Sequence, residues 1–193
     1  MAMPKYFSKY INNQFSTENQ NYQKRSFVYT PKEAISEIYF IREGIVNIGF
    51  KNPKNATNVI KATLFRGDIF GLLRLFHYES LDNYAEVISP KAQIARMSYE
   101  DFFQKIKADE PFNLFVLQTI VNRAVQLERR WTFLSSMSAR NRLIAFIVEM
   151  GVRHGTKIGL TATIENPFTH KEIGAIIGAS GQTVTMAFNQ LQN

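Results

Sequence analysis

The stretch Thr169 to Gln192 reads THKEIGAIIGASGQTVTMAFNQLQ, and the rest of the chain is best read outward from it. Thr169 followed three residues later by Glu172 is a capping box, the signature of a helix start. Ile173, Ile176 and Ile177 then make one apolar face, and Gly174 leaves room for a second helix to cross closely. Gly178 permits the tight turn that ends the first helix. Ala179 packs under the turn and Ser180 caps the next helix. Val184, Ala187, Phe188 and Leu191 give that helix an inner face, while Gln182, Thr183, Thr185, Met186 and Asn189 point outward. Capped helix, small residue, glycine turn and capped helix, in that order, predict a helix-turn-helix that reads DNA with its second helix. An ordinary helical hairpin is the plainer alternative.

Upstream, Ser138 to about His154 reads as an amphipathic helix with Leu143, Ile144, Phe146, Ile147 and Met150 on its apolar side, stopped by Gly151 and Gly155. Lys157 to Ile164 reads as a short strand or connector. A longer helix is predicted from Asp109-Glu110-Pro111, with the proline in its first turn, to about Phe133. Leu114, Leu117, Val121, Ala124, Glu128 and Trp131 recur along it at spacings of three and four. Such a stripe either packs on its own domain or, where the helix outruns that domain, seals a parallel homodimer. Glu128 lies on the stripe, where a charge is costly unless paired or liganded. Another helix starts at Ser98-Tyr99-Glu100-Asp101, with Ser98 as its cap.

Before Ser98 the period is that of strands. Phe27 to Tyr29, Ile38 to Ile41, Gly44 to Phe50, Val59 to Leu64, Ala85 to Ile88 and Gln93 to Met97 are short runs between turn signals such as Asn52-Pro53-Lys54-Asn55 and Gly67-Asp68. This spacing predicts a small all-β barrel or sandwich. Residues 1–21 read as a loose arm or a short helix. The fold class is therefore α+β, with a β-barrel domain over 1–108, a dimerisation helix over 109–137 and a helix-turn-helix domain over 138–193.

Composition narrows the chemistry. The 193 residues carry a net charge of +7, which suits a polyanionic partner. With no cysteine there is no disulfide framework, thiolate metal site or cysteine nucleophile. His77, His154 and His170 lie far apart, without metal-ligand spacing. No run of 18 apolar residues predicts a membrane span, and Met1 to Asn21 has no apolar segment of a secretory signal. No nucleophile–base cluster, phosphate-binding loop or dinucleotide-binding glycine pattern points to an enzyme.

Several segments together resemble the CRP/FNR family of bacterial regulators: Ile41-Arg42-Glu43-Gly44-Ile45-Val46, Gly67-Asp68-Ile69-Phe70-Gly71, Ser138-Ala139-Arg140-Asn141-Arg142-Leu143, and Thr169 to Leu191. The resemblance implies a β jelly-roll of the cyclic-nucleotide-binding kind, a dimer helix and a winged helix-turn-helix. It implies a cytoplasmic homodimer, or one of the plastid stroma if plastid-encoded, with double-stranded DNA, RNA polymerase and a small-molecule effector as partners and no membrane. Within the family, Phe70-Gly71-Leu72-Leu73 and Arg123-Ala124-Val125-Gln126-Leu127-Glu128 are similar to the segments with which NtcA-type nitrogen regulators meet 2-oxoglutarate. On that resemblance Phe70, Gly71, Leu72 and Leu73 offer backbone amides, Arg123 pairs with a carboxylate, and Glu128 is its neighbour across the seam. No metal or haem is implied, although His77 stands as the one residue open to haem.

The chain also departs from its relatives. Cyclic-nucleotide binders place a glutamate where Leu72 stands and an Arg-Ser pair where Asp82-Asn83 stands, which argues against cAMP; Asn83 also stands where the nitrogen regulators keep an arginine. On the DNA face Gly181 and Met186 occupy positions where relatives carry arginine, and no Lys or Arg occurs from Ser180 to Asn193. Gln182 suits adenine, and Thr183 or Thr185 a phosphate or a thymine methyl. Arg140, Arg142, His170 and Lys171 are candidates for the DNA backbone. The chain reaches Asn193 without the family's β-hairpin wing. A ligand-sensing or protein-interaction module with a weakened DNA head is therefore the second functional reading.

Overall fold

Ile38, Tyr39, Phe40 and Ile41 follow one another without a polar residue between them, and a strand built this way needs cover on both faces. In the computed structural model, which describes residues 19–31, 36–52, 54, 58–75 and 83–192, they lie in β3 (Glu37–Glu43) and all four are buried. The chain divides into two compact units, Met1–Arg123 and Ala124–Asn193.

Among the described residues the first unit holds eight strands: β1 (Asn19–Gln23), β2 (Phe27–Tyr29), β3, β4 (Val46–Lys51), β5 (Asn58–Leu64), β6 (Ile69–Phe70), β7 (Asn83–Val87) and β8 (Lys91–Ser98). They form two antiparallel four-stranded sheets, ordered β1-β8-β3-β6 and β2-β7-β4-β5. One face of β3 and β8 supplies Tyr39, Ile41, Ala92 and Ile94 to the layer between the sheets, where they meet Tyr29, Val46, Leu64, Phe70, Ala85 and Val87. The other face supplies Ile38, Phe40, Ala95 and Met97 to a second layer, closed by Phe102, Phe112, Phe115 and Val116. These last four come from α2 (Tyr99–Ala108) and α3 (Glu110–Ser136). The double burial explains the unbroken apolar run.

Three details differ from the sequence expectation. Asn19 to Asn21, read as the end of an arm or short helix, belong to strand β1, which pairs with β8; β1 is polar because it lies at a sheet edge and only half-buries Tyr22. Residues 1–18 lie outside the described residues. Ile69–Phe70 and the short α1 (Leu72–Leu75) were too brief to register as periodic segments. Gly151 does not stop its helix: α4 runs Ala139–His154, and Gly151 is buried within it, where an added Cβ would meet Ile164 Cδ1 at an ordinary 3.5 Å. Ser98 caps α2 as its sequence context predicts, and Ser138, read as the start of its helix, is the cap of α4.

The second unit takes in the end of α3, then α4, a hairpin of β9 (Thr156–Ile158) and β10 (Thr161–Thr163), and the paired helices α5 (His170–Ile177) and α6 (Gly181–Gln192). Leu143, Met150, Phe168, Ile173, Ile177, Val184 and Ala187 are its buried apolar residues. Arg142, expected at the DNA backbone, does something else. Its Nε donates to the Ile177 carbonyl at 2.8 Å, one terminal nitrogen to Met137 at 2.7 Å and the other to Gly178 at 3.1 Å. A planar fork with fixed donors is thus committed to the carbonyls that helix ends leave unpaired.

Removing that fork should loosen the turn between α5 and α6. Arg142→Ala is expected to destabilise it by at least about 1.5 kcal/mol, the low end for one hydrogen bond from a charged donor. Arg142→Lys should restore only part, since it keeps the charge without the fork. Amide hydrogen exchange of α5 and α6 in the full chain reads both, with Arg140→Ala as the exposed control; equal protection in all three variants would rule out this role.

Candidate nucleic-acid interface

The capping box predicted at Thr169 is present: Glu172 N–H donates to Thr169 Oγ1, and the Glu172 carboxylate accepts from the Thr169 backbone N–H at 2.8 Å. Such a cap is worth about 1 kcal/mol. Gly178 ends α5 in the left-handed region, at φ +70°. The N–H groups of Gly178 and Ala179 both return to the Gly174 carbonyl. A side chain at Gly174 would collide with the Ala179 carbonyl at 2.6 Å, so the close crossing requires glycine there. At Gly181 an added Cβ would lie 3.2 Å from the Lys171 backbone, so the two helix starts also approach closely.

The outward residues of α6 sort into two groups. Thr183 is turned into the cap: its hydroxyl lies 2.8 Å from that of Ser180, and its backbone N–H donates to Ser180 Oγ. Gln182, Thr185, Met186 and Asn189 are exposed, at spacings of three and four on one face. His170, at the start of α5, lies against this face. Its Nδ1 is 2.8 Å from Thr185 Oγ1, and its ring stacks on Phe188 with centroids 5.0 Å apart. Thr185 Oγ1 also donates to the Gly181 carbonyl at 3.0 Å. A hydroxyl has one proton, so that bond makes Thr185 the acceptor from Nδ1–H. Lys171 and Arg140 are exposed. The surface thus carries cations on α4 and α5 and a neutral stripe on α6.

The residues expected at an effector are placed as follows. Phe70 is buried, stacked on Tyr39 with centroids 5.0 Å apart, so only its backbone is on offer. Gly71 turns the chain at φ +95°, with a Cβ excluded by the Glu37 carbonyl. Leu72 packs against the helix-side core and Leu73 is exposed. Asn83 accepts from Lys61 Nζ at 2.7 Å, and that ammonium also lies 4.9 Å from the Phe50 ring centroid. The register of β4 and β5 shifts at Ile48/Gly49, where the partner skips from Ala62 to Ile60. This bulge re-aims Lys61, and no residue pattern announced it. Arg123 is half-buried and Glu128 exposed; they fall in different units. His77 and Asp82 lie outside the described residues.

Along α3 the stripe is uncovered: Leu114, Leu117, Val121, Ala124, Glu128 and Trp131 are all exposed, Trp131 at 75% and Val121 at 59%. Among the described residues no helix is long and apolar enough to cross a membrane, and no group of three or more His, Cys, Asp or Glu could hold a metal.

Comparison with known proteins agrees with these geometries. Residues 19–109 match the cyclic nucleotide-binding domain model and residues 141–193 the Crp-like helix-turn-helix domain model. The cAMP-activated global transcriptional regulator CRP of Haemophilus influenzae is 22% identical over 172 residues, covering 89% of this chain and 76% of that protein. The c-di-GMP responsive global regulator CLP of Xanthomonas campestris superposes with a TM-score of 0.74 at 16% identity, over 96% of this chain and 91% of that one. A cyclic nucleotide-binding domain containing protein of Listeria monocytogenes gives 0.74 at 13% identity, over 96% and 86%. These structures share the fold, and the two matched models, in this order along one chain, carry the assignment: the chain belongs to the CRP/FNR family of DNA-binding transcription regulators.

Proposed function

We propose that the chain works as a homodimer that binds double-stranded DNA through α5 and α6, under the control of a small anionic effector. The observation that carries the dimer is the uncovered stripe of α3, where Leu117, Val121 and Trp131 are each more than half exposed. A contiguous apolar stripe of this kind marks an interaction surface, and its spacing suits a helix against its own copy. Two copies then present two recognition helices to two half-sites, the arrangement helix-turn-helix dimers use. Arg140 and Lys171 supply backbone-directed charge, within a chain of net charge +7. RNA polymerase follows as a partner from the family's role.

NtcA-type regulation by 2-oxoglutarate is the finer form of this proposal. A dicarboxylate needs cations and backbone donors. Arg123, the Gly71–Leu73 backbone and the Lys61 ammonium beside Asn83 are the candidates this chain offers. A second reading, a sensing or protein-interaction module of the same fold with a weakened DNA head, is favoured by one feature: α6 carries no Lys or Arg.

Two measurements test these statements. In anisotropy titrations the chain should bind duplex DNA as a dimer, with affinity falling as salt rises. Val121→Asp should yield monomers in sedimentation equilibrium and weaken DNA binding about a hundredfold or more, the gain lost when two linked contacts become one. A dimer that binds no DNA at low salt would favour the second reading. For the effector, calorimetry with 2-oxoglutarate should show binding that Arg123→Ala abolishes; unchanged affinity in that variant would remove Arg123 from the site.

A further inference from the structure

The exposed face of α6 holds a glutamine, a threonine, a methionine and an asparagine, at positions 182, 185, 186 and 189, with nothing that ionises along the helix. The four base pairs differ in what they show in the major groove. Guanine shows two acceptors, N7 and O6, and calls for two donors on one side chain, as arginine or lysine provides. Adenine shows an acceptor and a donor, which a carboxamide matches in both senses. Thymine shows an acceptor and a methyl group, which an apolar surface covers.

Thr185 looks ambiguous in sequence, since its hydroxyl could bond a phosphate or a base. Its neighbours remove that choice. The hydroxyl proton goes to the Gly181 carbonyl at 3.0 Å, and the oxygen takes the His170 Nδ1–H at 2.8 Å. His170 is itself held by stacking on Phe188, with an interplanar angle of 15°. With its proton given to Gly181 and one lone pair to His170, Thr185 can no longer donate to a phosphate or a base, and it presents its methyl group beside a single remaining acceptor lone pair. Next to it stands Met186, exposed at 53%, a thioether with no hydrogen-bond donor. The reading surface is therefore two carboxamides flanking two apolar groups.

We infer that this recognition helix selects A·T base pairs: Gln182 and Asn189 pair with adenine edges, and the Thr185 methyl and Met186 cover thymine methyls, with His170 as the positioning residue that turns Thr185 into an apolar reader. The inference rests on the DNA-binding function proposed above and names the sequence class that function reads. Binding strength comes from cations elsewhere in the unit, and base choice from a neutral surface.

The test uses the full chain. Binding sites are selected at low salt from a randomised duplex pool, and the half-sites are then remade with uracil for thymine, which removes only the C5 methyl. Selected half-sites should be A·T-rich, and each contacted thymine replaced by uracil should weaken binding roughly fourfold, the worth of one buried methyl-sized group. Thr185→Ser keeps the hydroxyl and both its hydrogen bonds but lacks the methyl; it should bind the thymine and uracil duplexes alike at the position Thr185 covers. Selection of G·C half-sites, or an unchanged uracil penalty in Thr185→Ser, would overturn the inference while leaving DNA binding intact. Failure to enrich any duplex would instead overturn the DNA-binding function itself.

Discussion

The geometry of the DNA-reading unit depends on how the carbonyls at the end of α5 are satisfied. A helix leaves its last carbonyls without intrahelical partners, and here only three residues, Gly178 to Ser180, separate α5 from α6. Gly178 takes the left-handed conformation, so its own N–H and that of Ala179 turn back to the Gly174 carbonyl. Arg142 then covers Ile177 and Gly178 from α4 and Met137 at the end of α3. One guanidinium thus ties the end of the long helix to the turn that aims α6. Leu134, also from α3, fills the space against Gly178 that a side chain there would need. Mutual support of this kind holds a recognition helix at a fixed angle without a large core.

In the first unit the governing constraint is the double burial of β3 and β8. Because both faces are covered, the residues around the Phe70–Gly71 turn serve the core first, and little but backbone remains for a ligand. Polar and charged groups capable of selecting a ligand must come from the sheet margins. The bulge between β4 and β5 brings Lys61 to Asn83 at such a margin.

On the proposed DNA face, attraction and base choice fall to different helices. Arg140 and Lys171 are exposed on α4 and α5, while α6 is neutral throughout. Phosphate contacts fix register without carrying sequence information, and base-edge contacts carry it. Under that proposal a charged recognition helix is needed to read guanine and not to bind DNA.

Much of this was legible from residue order alone. The capping box at Thr169, the small residue at Gly174, the turn at Gly178, the cap at Ser98 and the strand-to-helix change that follows it are local features. Each is a backbone requirement met by side chains within a few positions, so the sequence by itself determined them. It also determined the α3 stripe, because a helix repeats its faces every few residues. What only the tertiary structure decided involves partners far apart in the chain. Arg142 reads as a surface cation until carbonyls 35 and 36 residues away claim it. Thr185 reads as a free hydroxyl until Gly181 takes its proton and His170, 15 residues away, takes one of its lone pairs. Asn19 to Asn21 read as the end of a polar arm until β8 supplies their hydrogen bonds. In each case the side chain's chemistry was known from the start. Its availability depends on which distant backbone or ring arrives first, and no local pattern encodes that.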